Sequence, residues 1–100
     1  MKFFIKDITR RTGEIRTEAK YSNRIGSTIE FLNPVKIGEP AYFKYIKYNN
    51  GELVEDHRTQ ISRVDYLEWF KDNFYIYTHN SIYKLTPIDD TISEKAGEKS

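Results

Sequence analysis

The chain has no cysteine, two histidines, three prolines and five glycines, no two of which are adjacent. Each shortage removes a class of chemistry. Without cysteine there are no disulfides, no thiolate metal sites and no cysteine nucleophile, and a small Cys-free domain suits a reducing cytosol. His57 and His79 are too far apart for a His-x-x-His or His-Glu-x-x-His ligand pair. Scattered glycines cannot cradle a phosphate, and there is no Gly-x-Ser-x-Gly nucleophile elbow. No apolar run approaches the roughly 20 residues that span a bilayer. Met1 to Ile5 opens like a signal peptide, but Lys6 and Asp7 interrupt it at once. No Asn-x-Ser/Thr acceptor site is present. The expectation is a cytoplasmic protein with no cofactor, no metal, no membrane segment and no catalytic residues.

What is present is charge and aromaticity. Sixteen Lys/Arg stand against 15 Asp/Glu, a net charge of +1, unlike the clearly basic domains that bind nucleic acid. The balance is uneven along the chain. Residues 1–24 carry seven basic and three acidic groups, a local +4, whereas residues 72–100 carry three basic and five acidic, a local −2. Eight Tyr, six Phe and one Trp supply large buried area per residue to a small core. Tyr is also enriched at interfaces. One hundred residues make one domain, burying roughly 60 to 70% of its unfolded surface.

The pattern along the chain is that of short strands and tight turns. Lys2 to Thr9 and Glu14 to Ala19 alternate as strands do, and Arg10-Arg11-Thr12-Gly13 turns between them, predicting a first hairpin. Tyr21 to Ser27 reads as irregular. Ser27-Thr28-Ile29-Glu30 has capping-box spacing, but Asn33-Pro34 would stop a helix almost at once, so a single helical turn and a short strand over Thr28 to Leu32 are both open. Ala41 to Tyr48 is a strong strand. Asn49-Asn50-Gly51 predicts a type I′ turn, with positive φ at both central residues, and Glu52 to Arg58 a charged edge strand. Ile61 to Lys71 is read as a strand, with a capped helix as the alternative. In Asn73 to Pro87, two β-branched and aromatic runs flank His79-Asn80, predicting a closing hairpin with Asn80 at positive φ and Phe74, Ile76, Ile82 and Leu85 in the core. These elements predict an all-β protein with at most one short helix, a small barrel or rolled sheet of the SH3-like or OB-like type with roughly five to seven short antiparallel strands. The domain spans residues 1–87, and residues 88–100 read as a disordered polar tail.

Two groups of residues are candidates for binding. On the strand Tyr42-Phe43-Lys44-Tyr45-Ile46-Lys47-Tyr48 aromatics and lysines interleave: Tyr42, Lys44, Ile46 and Tyr48 point one way and Phe43, Tyr45 and Lys47 the other, so that one face could stack bases while lysines meet phosphates. Arg10, Arg11 and Arg16 of the basic first hairpin would add phosphate contacts. The plainer alternative is one core face, one solvated face and a solvated turn. His57 beside Asp56 has the makings of a general base, but on a charged edge strand it reads as a surface histidine. With no reaction chemistry, near-zero net charge and many tyrosines, the sequence points first to protein–protein interaction, edge strands offering a route by strand addition. Single-stranded nucleic-acid binding is the alternative.

Thr59-Gln60-Ile61-Ser62-Arg63-Val64, followed by Thr78-His79-Asn80-Ser81-Ile82-Tyr83-Lys84-Leu85, resembles small uncharacterised bacterial and phage β-barrel proteins. In those, a Thr-Ser-x-Val segment precedes a final Thr-x-Asn-Ser-x-Tyr-x-Leu strand pair. Here Ile61-Ser62 stands where that pattern has Thr-Ser, and the stretch up to Phe74 is longer. The resemblance implies a β-barrel of bacterial or mobile-element origin and, by analogy, a phage-encoded protein that binds and modulates a host protein.

Overall fold

The computed structural model describes residues 1–88. Seven strands, β1 (Lys2–Arg10), β2 (Thr28–Phe31), β3 (Ala41–Lys47), β4 (Arg58–Ile61), β5 (Val64–Phe70), β6 (Asn73–Thr78) and β7 (Ser81–Ile88), and one short helix, α1 (Ala19–Ser22), make up the chain. The strands form a single sheet in the order β4-β3-β2-β1-β7-β6-β5, with every described pairing antiparallel. The protein is therefore all-β, as the alternation of its segments predicts.

The expected closed barrel is not formed, because β4 and β5 make no ladder with each other. They are nevertheless consecutive in the chain, joined only by Ser62-Arg63. A two-residue link can connect opposite ends of a sheet only if the sheet is strongly rolled. Arg24 shows the same curvature. One guanidinium reaches the Tyr83 hydroxyl on β7 at 2.8 Å and both Thr59 Oγ1 and the Gln60 carbonyl on β4 at 3.3 Å. Four strand steps separate β4 from β7, about 19 Å in a flat sheet. The seam is stapled at one corner, where the Val64 N–H donates to the Glu39 carbonyl at 2.9 Å and the Val64 carbonyl accepts from Gly38 N–H at 2.8 Å.

The concave face holds the core: Phe3, Ile5, Ile8, Ile29, Ala41, Phe43, Tyr45, Ile61, Val64, Phe74, Ile76, Tyr83 and Leu85. Period-two alternation places most of these, but Ile82 is only half-buried. It pairs with Tyr77 on the convex side while Tyr83 takes the core position. In β5 a register irregularity between Val64 and Tyr66 shifts the phase by one residue. Val64, Leu67 and Trp69 consequently share the concave side, leaving Tyr66, Glu68 and Phe70 on the convex one.

Several local expectations change. The partner of β1 in the first hairpin shrinks to one bridge, Thr9 with Ile15, because Ile15 has no core to enter and stays exposed. α1 starts at Ala19, the last residue of the predicted return strand, and ends in the stretch read as irregular, whereas the capping-box segment is strand β2, with Ile29 fully buried. The Asn49-Asn50-Gly51 turn has positive φ at Gly51 alone. Gly51 N–H donates to the Tyr48 carbonyl and Tyr48 N–H to that of Glu52, both at 2.9 Å, which is a three-residue loop closed by a glycine bulge. The predicted edge strand over Glu52 to Arg58 reduces to a Lys47–Leu53 bridge before β4 begins. Asn80 does not have positive φ; the one non-glycine residue that does, among those described, is Lys71 in the β5–β6 turn. Ile88, assigned to the tail, ends β7 opposite Lys2, and the rest of the predicted tail lies outside the described residues. No helix among the described residues is long and apolar enough to cross a membrane.

Candidate protein-interaction edge

The three arginines of the basic first hairpin each have a partner within the fold. Arg16 is nearly buried. Its Nε donates to Ser81 Oγ at 3.2 Å, its Nη2 to the Asn80 carbonyl, and its Nη1 to Glu18 at 2.8 Å. Arg11 Nη1 donates to the Thr78 carbonyl at 2.7 Å, with its guanidinium over the Tyr77 ring. Both arginines thus hold the β6–β7 turn, whose Thr78 Oγ1 also accepts from Ser81 N–H at 3.1 Å. Arg10 meets Glu18 at 3.4 Å. The backbone hydrogen bond at Glu18 draws its carboxyl below the ordinary value, and Arg16 and Arg10 beside it add to this against an opposing desolvation. Of the seven basic groups in residues 1–24, Arg16 and Arg24 are buried, while Lys6, Arg10, Arg11 and Lys20 remain exposed.

The β3 candidates are split between two faces. Tyr45 is 5% exposed, points into the concave core and meets Phe43 edge-on at 5.4 Å. Burial pushes its hydroxyl pKa up, against the nearby Arg24 charge. Tyr48 Oη lies 2.8 Å from His57 Nδ1, and the His57 ring lies against Tyr45 at 4.6 Å between centroids. The histidine that stood beside Asp56 in sequence is thus part of an aromatic cluster, and Asp56 pairs with Arg58 at 3.5 Å. Tyr42 and Lys44 face outward, Lys44 paired with Glu30 at 3.7 Å. Lys47 is exposed on the alternate phase, beyond Tyr45. The structure therefore does not gather Tyr42, Lys44, Tyr45, Lys47 and Tyr48 into one stacking face. What remains outside is a shallow groove of about 680 Å³ lined by Leu32, Asn33, Tyr42, Arg58, Thr59 and Gln60.

A second exposed cluster, absent from the candidates named above, lies on β5. Tyr66, Trp69 and Phe70 are 53%, 56% and 55% exposed. On the convex side Tyr66 meets Tyr77 edge-on at 5.5 Å, and Glu68 accepts from the Tyr77 hydroxyl at 3.1 Å. Desolvation first, then that hydrogen bond, raises the Tyr77 pKa. On the concave side Trp69 stacks on Phe74 at 4.7 Å and reaches Phe3 at 6.3 Å.

The backbone of β5 is equally exposed. Phe70 and Asn73 flank the two-residue loop Lys71-Asp72, which makes them a hydrogen-bonded pair. Alternation along the ladder then makes Trp69–Phe74 and Leu67–Ile76 non-hydrogen-bonded pairs, so the N–H and C=O of Leu67 and Trp69 point away from β6. Among the described residues, no backbone group of residues 65–70 has a partner outside β6. This stretch would have been legible in sequence from its density of large apolar residues, Tyr66, Leu67, Trp69 and Phe70, on a segment too short to bury both faces.

Comparison with protein-family models, with curated proteins and with solved structures found no match. The functional reading therefore rests on this geometry.

Proposed function

We propose that this chain is a non-enzymatic binding protein that docks on another protein by accepting a strand along the open edge of β5. The observation that carries the reading is that edge: a run over residues 65–70 whose backbone has, among the described residues, no partner outside β6, flanked by three half-exposed aromatic side chains. Long apolar edges are normally shortened, charged or covered, because they recruit other strands. Where one persists, main-chain hydrogen bonds give affinity and the alternating side chains give specificity. The resemblance of the closing strand pair to phage and bacterial proteins adds a setting, a mobile-element protein modulating a host protein in the cytoplasm. Kinship with SH3-like or OB-like barrels is part of the same proposal and is supported only by the small, rolled antiparallel sheet.

Single-stranded nucleic-acid binding ranks below this reading, since Tyr45 is in the core and Arg10, Arg11 and Arg16 have partners within the fold. Capture of partners from a bacterial lysate on the immobilised full chain tests the proposal. A Tyr66→Ser/Phe70→Ser chain should lose the captured protein by about tenfold or more, and Tyr42→Ala should not. The reverse pattern moves the site to the β3 groove, and equal capture by all three chains removes the β5 edge from consideration. A gel shift with short single strands at low salt, abolished by Lys44→Glu, would instead favour nucleic acid.

A further inference from the structure

We infer that the strand accepted by this edge is β5 of a second copy of the chain, giving a two-fold dimer in which the two sheets run on through paired β5 strands. The inference rests on the reading of β5 as an interaction edge and names its partner. Only Leu67 and Trp69 direct both backbone groups away from β6 in the run after the bulge. A symmetric antiparallel pairing that opposes such groups is centred on Leu67, Glu68 or Trp69.

Side-chain charge and backbone conformation separate the three registers. Centring on Glu68 sets the two Glu68 carboxylates opposite each other, an unfavourable like-charge pair. Centring on Trp69 carries the pairing into Lys71, whose φ of 56° belongs to the turn rather than to a strand. Centring on Leu67 places Leu67 on its twin, Tyr66 opposite Glu68 and Asp65 opposite Trp69. In that register neither acid meets an acid, and each Tyr66 hydroxyl has a carboxylate to donate to. The pairing stops at Val64, whose outward groups are already held by Gly38 and Glu39. Five residues per chain thus pair, and the convex aromatics Tyr66, Tyr75 and Tyr77 of the two copies become one continuous stripe.

The absence of cysteine makes the register directly testable. In sedimentation velocity the full chain should be dimeric at micromolar concentration. Leu67→Pro should raise the dissociation constant by about tenfold or more with an unchanged far-UV spectrum, because the lost N–H points away from β6. A single Leu67→Cys should form a disulfide-linked dimer on mild oxidation, since opposed residues of a hydrogen-bonded pair lie about 5.5 Å apart at Cα, within disulfide range. Tyr42→Cys, on a remote strand, should not. A wild-type chain that stays monomeric, or Leu67→Cys that crosslinks no faster than Tyr42→Cys, overturns the inference. If the Tyr66→Ser/Phe70→Ser chain then still loses a captured protein, the edge serves a different partner; if it loses none, the interaction-edge reading falls as well.

Discussion

The two ends of the sheet are built by opposite rules. β4 is four residues long, carries Arg58, Thr59 and Gln60, and has its Gln60 carbonyl and Thr59 hydroxyl taken by Arg24. β5 is seven residues long and offers Tyr66, Trp69 and Phe70, and among the described residues its backbone after Val64 has no partner outside β6. A short polar edge tied back to the core resists pairing with other chains, whereas a long aromatic edge invites it. In a sheet that nearly closes on itself, the same roll that brings the ends together at Ile61 and Val64 leaves one end finished and the other open.

Three measurements would break or sharpen that contrast. The largest effect falls on the β4 end. Arg24 is 6% exposed, and its partners are neutral oxygens and the face of Phe43 at 5.6 Å. Arg24→Ala leaves the Tyr83 hydroxyl and the Gln60 carbonyl without this donor and opens a cavity. A loss of about 3 kcal/mol in denaturant unfolding is expected. Amide exchange should accelerate in β4 while β5 and β6 keep their relative protection. Uniform acceleration would mean that the β4 end is not separately stitched.

Next comes an alkaline transition. Burial pushes the Tyr83 pKa from 10.0 up to about 12, outweighing the Arg24 charge. Because the folded value is the higher one, the contribution is fully present below pH 10 and is lost as pH rises from about 10 to about 12. The two-unit difference corresponds to about 2 to 3 kcal/mol. Urea midpoints measured across that range should fall in the wild type and fall less in Tyr83→Phe. Equal falls would assign the alkaline loss to other groups.

The smallest effect on stability belongs to the β5 end. Phe70 is over half exposed beside the turn, so Phe70→Ser should shift the unfolding free energy by no more than about 0.5 kcal/mol. Were the cost closer to that of a core substitution, Phe70 would be serving the fold rather than a partner.

Much of the fold was readable from residues alone. Alternation marked the strands at Lys2, Ala41 and Asn73, since a strand with one buried face must alternate and a helix cannot. Polar breaks and glycines placed the turns, although not their types. Asn80 was expected at positive φ, yet Thr78 closes that turn through its own hydroxyl and two arginines grip its carbonyls. The candidate site was read less well. Tyr45 looked as available as Tyr42, because period two says which residues share a face but not which face is inside. On β5 the added residue after Val64 exchanged the faces, which no alternation count detects.

The sequence by itself determined the class of the protein: all-β, free of disulfides and rich in aromatic side chains. Those properties follow from local preference and composition, which each segment carries wherever it lies. Only the tertiary structure decided which strands are edges, where the arginines point and which aromatics stay outside. These depend on contacts between segments distant in sequence, such as Arg16 with Ser81 and Arg24 with Tyr83. An edge is a property of the whole sheet, and β5 becomes one only because the roll that brings Ile61 beside Val64 goes no further.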